Sequence, residues 1–380
     1  MFSSSSQFLI MAPILPEICR QLHVDESLLG LLITVYSLTL GVVALFSGYV
    51  SDNIGRRKII LLGSGLMATT LILHYIAYDY YSLLVIRILT GVSGGILTGS
   101  CISFVRDYFP YNKRGWANGV IATGSAIGQI AAIPLGVIFA KNFGFATPFM
   151  FFGFVMCLVF GLAYFFIPQI KNNRTKVEIK PISILKGYIQ ILKASVYRIL
   201  SISYILMFFS ITVYLVYFPK WLEASFRSGA KDIALVFFFG GCASLLASPF
   251  AGKLTDVVGR KPVTIISNFI LTLILGLSLV IELSYMQATA VFFLFMLCVS
   301  GRLVSFQSLA SDITSSENRG QVMCLMIAIG QIGMALGSGI AGLMYSTIGF
   351  ELNIITAAIA SLIMAMIIWK VIPTVKTITV

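Results

Sequence analysis

Three charged residues sit where charge is costly. Arg87 and Arg302 fall inside long apolar stretches, and Glu17 follows Pro13-Ile-Leu-Pro16 near the end of the first such stretch. A guanidinium near the centre of a bilayer costs at least about 2.5–3.5 kcal/mol by insertion scales, so each arginine is expected to face a wet cavity or a partner. A carboxylate beside a fixed cation releases its proton more readily, and protonation weakens the pair. Glu17 and Arg87 lie at similar depth, on the first and fourth stretches, and are read as a proton-coupling pair. Arg302 lies about ten residues from one end of its stretch, too deep for easy snorkelling. The bland readings stay open: Arg87 snorkelling to an interface, Glu17 as an interfacial loop charge, and Arg302 bonded to backbone carbonyls.

Hydrogen-bonding and aromatic residues gather on three stretches. The first carries Ser3, Ser4, Ser5, Ser6 and Gln7, the seventh Tyr204, Ser210, Thr212, Tyr214 and Tyr217, and the tenth Ser300, Arg302, Ser305 and Gln307. Aromatic walls with a few polar groups suit a small amphipathic solute. Arg302, Gln307, Gln7, Tyr204, Tyr214 and Gln129 are the candidate solute contacts, although many hydroxyls bond back to their own helix. Catalysis is a poor reading. His23 and His74 are the only histidines, and the sequence holds no metal-ligand cluster, nucleophile constellation or Walker loop. No cofactor or metal is expected.

The elements that must position these residues are membrane helices. Across 380 residues the mean hydropathy is +0.97, with 58% hydrophobic and 11% charged residues. Soluble domains carry about 25% charged residues. The length fits about twelve crossings of about 20 residues each, and the strict alternation of a membrane β-barrel is absent. The spans are expected near 2–20, 28–50, 59–78, 82–105, 116–140 and 146–168, then 197–219, 232–254, 263–282, 288–311, 321–345 and 352–371. The first begins almost at Met1 with no basic leader before it, and it is short enough that the true start can lie upstream. The six cysteines are scattered and read as packing residues.

The net charge of +12 offers no soluble basic face for nucleic acid; the basic residues concentrate in alternate loops. Nineteen Lys and Arg fall on the side of the long central loop and five on the other. The positive-inside rule then places both termini and that loop in the cytoplasm, in an inner membrane. Within the loop, Ile182, Leu185, Ile189 and Leu192 recur at helical spacing with Lys186 and Lys193 between them. This suits either a helix lying on the inner leaflet or a connector packed on the helix ends.

The strongest signal is internal. Gly48, Asp52, Gly55 and Arg56 recur as Gly252, Asp256, Gly259 and Arg260, an offset of 204. Asp107 recurs as Asp312 and Arg114-Gly115 as Arg319-Gly320, an offset of 205. Every copy falls at the cytoplasmic end of a span. The chain therefore reads as parallel repeats of six helices: a bundle at 1–168, a linker at 169–196 containing the amphipathic segment, and a second bundle at 197–380. Gly48 permits close helix approach and Gly55 a tight turn. Asp52, Arg56 and Asp107 are expected to form an acid–base–acid cluster, as are Asp256, Arg260 and Asp312. The alternative is that these charges only set topology.

This loop, Gly48-x-x-x-Asp52-x-x-Gly55-Arg56-Arg57-Lys58, resembles the hallmark loop of the major facilitator superfamily, and the resemblance covers essentially the whole chain. It implies an all-α membrane protein of twelve helices in two six-helix bundles, with substrate bound between helices 1, 4, 7 and 10. It also implies that Asp52, Arg56 and Asp107 gate the outward-facing state. Arg87-Ile-Leu-Thr-Gly91 resembles the family's helix-4 motif linked to proton coupling, with Thr90 in place of the usual Gln. In the fifth span, Gly124-x-x-x-Gly128 and Pro134-Leu-Gly136 keep fragments of the exporters' motif.

The resulting expectation is a monomeric secondary transporter working by alternating access. It would carry out proton-coupled efflux of a drug-like or sugar-like compound, with protons and lipid as partners. Two alternatives remain: an organic anion or organophosphate exchanger, suggested by the two embedded arginines, and a transport-inactive membrane sensor.

Overall fold

The computed structural model describes residues 10–108, 128, 132, 134–168, 181–314 and 319–371; for Gly48, Asp52, Asp107 and Arg319 it describes the helical backbone alone. The chain divides into two compact units, Met1–Ile189 and Gln190–Val380.

In the first unit, α1 (Met11–Leu22), α2 (Leu29–Ile54), α3 (Arg56–Leu73), α4 (Tyr80–Tyr108) and α5 (Thr147–Phe166) follow one another, and residues 134–143 are helical ahead of α5. The helix α6 (Pro181–Lys193) leads into the second unit. That unit holds α7 (Ser195–Leu215), α8 (Phe218–Phe226), α9 (Ala230–Val258), α10 (Arg260–Val280), α11 (Tyr285–Ile313), α12 (Arg319–Thr347) and α13 (Phe350–Val371). Ten helical segments among the described residues are long and apolar enough to cross a membrane. The first and fifth expected spans fall partly outside the described residues.

Pairing within each unit follows one scheme. In the first, α2 packs on α4, α4 on α3 and α3 on α5; in the second, α9 packs on α11, α11 on α10 and α10 on α13. Small residues make the closest approaches. A side chain at Gly95 of α4 would meet the Leu40 carbonyl of α2 at 2.7 Å, and one at Gly333 of α12 would meet the Ile205 carbonyl of α7 at 2.5 Å. Such contacts let helices gain dispersion in a solvent that supplies no hydrophobic drive between them.

The repeat is written into the turns. Gly55 ends α2 at φ 106° with its N–H on the Ser51 carbonyl, and Gly259 ends α9 at φ 104° with its N–H on the Thr255 carbonyl. Both occupy a region that an L side chain adopts only with strain. His23 and Arg227, 204 apart, are both left-handed at φ 52°, and Gly144 and Gly349, 205 apart, have φ 96° and 108°.

One expected span is broken. The seventh, read as 197–219, is helical as α7 only to Leu215, turns at Val216 and Tyr217, and resumes as α8. Pro219 lies in the first turn of α8. There its missing N–H costs nothing, whereas inside a continuous helix it would remove a bond and clash with the preceding turn.

Candidate functional site

Each unit encloses one arginine. Arg87, on α4, is wholly buried. Its Nε donates to the Leu32 carbonyl of α2 at 3.5 Å, and its guanidinium lies 4.6 Å from the centre of the Tyr36 ring and 5.8 Å from that of Phe149. A desolvated cation over aromatic faces gains about 2 kcal/mol or more.

His74, at the end of α3, joins this cluster. It is fully buried and stacks on Phe149 with centroids 4.2 Å apart. Its Nδ1 lies 2.8 Å from the Thr70 carbonyl. A carbonyl only accepts, so Nδ1 carries a proton, and Nε2 has no hydrogen-bond partner among the described residues. Thr90 donates to the Ile86 carbonyl of its own helix.

Glu17 has other company. Its carboxylate accepts from Arg20 Nη2 and Gln21 Nε2, each at 2.6 Å, so α1 supplies its partners three and four residues on. Gln21 Oε1 in turn accepts from the Phe145 N–H ahead of α5.

Arg302, on α11, is also wholly buried but is held by hydrogen bonds. Nη1 donates to Asn268 Oδ1 of α10 and Ser361 Oγ of α13, both at 3.1 Å. Nη2 donates to the Met207 carbonyl at 3.0 Å and Ser210 Oγ at 2.8 Å, both on α7. Nε has no partner among the described residues. All four terminal N–H positions are therefore engaged by neutral acceptors, and one side chain ties α11 to three neighbouring helices. Asn268 Nδ2 bonds back to the Thr264 carbonyl, and Thr264 donates to Ser305 beneath the arginine.

The other expected solute contacts separate. Tyr204 is buried against Phe306, and Tyr214 against Phe295 and Phe350, inside the second unit. Gln307 is exposed on α11. Gln7 and Gln129 lie outside the described residues.

At the glycine turns, Arg56 is buried and donates to Ser51 Oγ at 2.9 Å. Arg57 bonds the Tyr164 carbonyl and lies over the Tyr164 ring. In the second unit Arg260 pairs with Asp312, while Asp256 is exposed near the end of α9. The carboxylates of Asp52 and Asp107, and any contact of Gly48, lie outside what the structure describes, so the first cluster is seen only from its arginine.

Two units of like pairing, each with a glycine turn and a cation enclosed among apolar helices, make up a multi-pass membrane protein. Residues 1–223 and 200–378 match the profile of the Major Facilitator Superfamily. This chain belongs to that superfamily and is a transporter, not an enzyme. The Multidrug resistance protein MdtG of Salmonella arizonae is 28% identical over 297 residues, spanning 75% of this chain and 71% of the relative, and the MdtG of Salmonella typhi matches equally. The crystal structure of a D-xylose-proton symporter superposes with a TM-score of 0.80 at 16% identity, covering 100% of this chain and 98% of that one. The fold is the twelve-helix major facilitator fold.

Sequence reasoning missed His74 as a neighbour of Arg87, and Asn268, Ser361 and Ser210 as the partners of Arg302. A histidine closing an apolar span was a signal for the first. The others are single small polar residues on separate spans, with no pattern to join them.

Proposed function

We propose that this chain is a proton-coupled exporter of drug-like or sugar-like compounds, working by alternating access in an inner membrane with both termini in the cytoplasm. The carrying observation is Arg87, a wholly buried cation on α4 with the rings of Tyr36 and Phe149 beside its guanidinium. Ring faces leave a guanidinium able to exchange them for a carboxylate when the helices move. The resemblance to proteins named for multidrug resistance supports efflux, and the fold shared with a D-xylose-proton symporter suits proton coupling.

In this reading the bundles at 1–168 and 197–380, joined by the 169–196 connector, alternate access as a monomer. Gln307, Gln7 and Gln129 face the solute, while Arg302, Tyr204 and Tyr214 shape the second bundle from within. Arg87 with Glu17 couples the proton. Gly48, Asp52, Gly55, Arg56 and Asp107, with Asp256, Gly259, Arg260 and Asp312, form the gate. Anion exchange is less well supported, because the terminal N–H groups of Arg302 are taken by neutral protein groups.

Proteoliposomes with an acidic interior test the proposal, with ethidium as the probe. Accumulation should collapse when a protonophore is added and should be lost in Arg87→Leu. Glu17→Gln should remove the dependence on the pH gradient. Accumulation indifferent to the protonophore would overturn proton coupling, and Glu17→Gln transport that still follows the gradient would remove Glu17 from it.

A further inference from the structure

The helix α6 presents three different faces around its axis, and each has a distinct chemistry. Tyr188 is buried, and its hydroxyl donates to the Leu45 carbonyl of α2 at 3.2 Å. At about 100° per residue, Leu185 and Ile189 fall about 60° and 100° round from Tyr188. Both are exposed, at 44% and 56%. Lys193 and Lys186 follow at about 140° and 160°, and both are exposed, as is Gln190. An apolar shoulder therefore lies between a protein-facing tyrosine and a basic edge.

The anchor also bears on the depth of α6. Leu45 precedes Asp52, the polar end of α2, by seven residues, or about 10 Å of helix rise. It follows Leu29 by sixteen residues, or about 24 Å, against a hydrocarbon thickness of about 30 Å. A helix tied to that carbonyl by one tyrosine side chain is within reach of the boundary between acyl chains and headgroups.

We propose that α6 is a docking surface for anionic phospholipid. Leu185 and Ile189 enter the acyl region, and Lys186 and Lys193 hold the phosphates of the leaflet beside the connector. Tyr188 fastens this lipid-reading helix to α2, whose following turn holds Gly55 of the proposed gate. Lipid composition would thus act on the element next to the gate. The consequence for the gate rests on the gate proposed above, while the lipid contact itself needs neither the substrate nor the direction of transport.

The test uses the full chain in phosphatidylcholine nanodiscs with and without phosphatidylglycerol. Ile189→Cys is labelled with an environment-sensitive NBD fluorophore in a cysteine-free background that keeps the wild-type melting temperature. The label should emit blue-shifted, be quenched strongly by a shallow doxyl lipid and resist aqueous iodide. Preference for phosphatidylglycerol near the label should fall roughly fivefold for each of Lys186→Gln and Lys193→Gln, and high salt should mimic the loss. A label open to iodide would show a solvated connector and overturn the proposal. A label shielded from both quenchers would show a face covered by protein and would overturn it equally. Quenching by lipid that ignores both lysine substitutions would overturn the recognition of anionic headgroups. The two leaflets of such a disc are alike, so failure here is distinct from an error in orientation.

Discussion

In the first unit Arg87 lies on the faces of Tyr36 and Phe149; in the second, Arg302 is fastened by four hydrogen bonds to three other helices. The repeat offset carries Arg87 to Phe292 and Arg302 back to Leu97, so neither arginine has a counterpart in the other half. The exchange is reciprocal at Arg87. Tyr36 corresponds to Gly240, and in the second unit Phe292 packs directly over Gly240. Phe292 in turn stacks on Phe218 at 4.5 Å and leans on Phe237. One unit uses the position for a cation on rings, the other for rings alone. A shared helix scaffold therefore tolerates either chemistry, and what distinguishes the arginines is the kind of group set against each: ring faces at Arg87, neutral hydrogen-bond acceptors at Arg302.

The sharpest way to break this comparison is to remove both charges in turn. Arg302→Leu strands Asn268, Ser361 and Ser210 and unties α7, α10 and α13 from α11. The expected loss is about 3 kcal/mol or more, given about 1.5–3 kcal/mol for hydrogen bonds to a charged group and smaller values in membranes. Arg87→Leu forfeits the ring contacts and the Leu32 bond but also removes a buried charge, so stability should fall by less than in Arg302→Leu while transport is lost. Thermal unfolding of the two variants in the same detergent measures the difference. Equal losses would mean that both arginines serve as structural ties.

Much of the scaffold was readable because it rests on periodic or repeated signals. Apolar runs of crossing length marked the spans, and the glycines at one offset marked turns whose φ values match to within a few degrees. Glu17 shows what was readable yet passed over: Arg20 and Gln21 lie at the helical spacings of three and four, and they hold its carboxylate. The break after Leu215 was announced by Pro219. The neighbours of Arg302 are of another kind. Asn268, Ser361 and Ser210 are far apart in sequence, and only the pairing of α10, α13 and α7 brings them together.

Next in size are the turns that the units share. Gly55→Ala and Gly259→Ala force a side chain into a strained backbone, at about 1–3 kcal/mol each. A methyl at Gly55 meets nothing within 4 Å, and one at Gly259 meets Pro262 at an ordinary 3.5 Å, so strain alone sets the cost. The two melting temperatures should fall together. A much larger fall at one turn would show that the halves are not equivalent there.

Gly240→Ala probes the reciprocal position. The added methyl would run into the Phe292 ring and lie 3.1 Å from Met296 Cγ. Overpacking of this kind costs about 1–2 kcal/mol. Adding Phe292→Leu should recover part of that loss if the ring is the obstacle. A double variant less stable than the sum of the two singles would place the conflict elsewhere.

The smallest effect concerns two equivalent helix caps. At the start of α4 the Ser82 N–H donates to Asp79 Oδ1 at 2.8 Å, and the Asp79 N–H donates to Ser82 Oγ at 3.2 Å. At the start of α11, 205 residues on, Gln287 N–H donates to Ser284 Oγ at 3.4 Å and Ser284 N–H to Gln287 Oε1 at 2.8 Å. The same box is ionisable in one unit and neutral in the other. The bonds from the Ser82 side chain and backbone hold the Asp79 carboxyl below its ordinary value of 3.8. A depressed carboxyl contributes stability that is full above its unfolded value and disappears as pH falls through the folded one. Asp79→Ser gives the first unit the second unit's neutral kind of cap. Wild type should therefore melt slightly higher than Asp79→Ser at pH 6, with the gap closing as the medium is acidified below about pH 4. The matching change at Ser284, to Asp, should open a gap of the same sign and pH course. A gap at Asp79 that ignores acid would mean the carboxylate's charge contributes nothing beyond the hydrogen bonds a serine also makes.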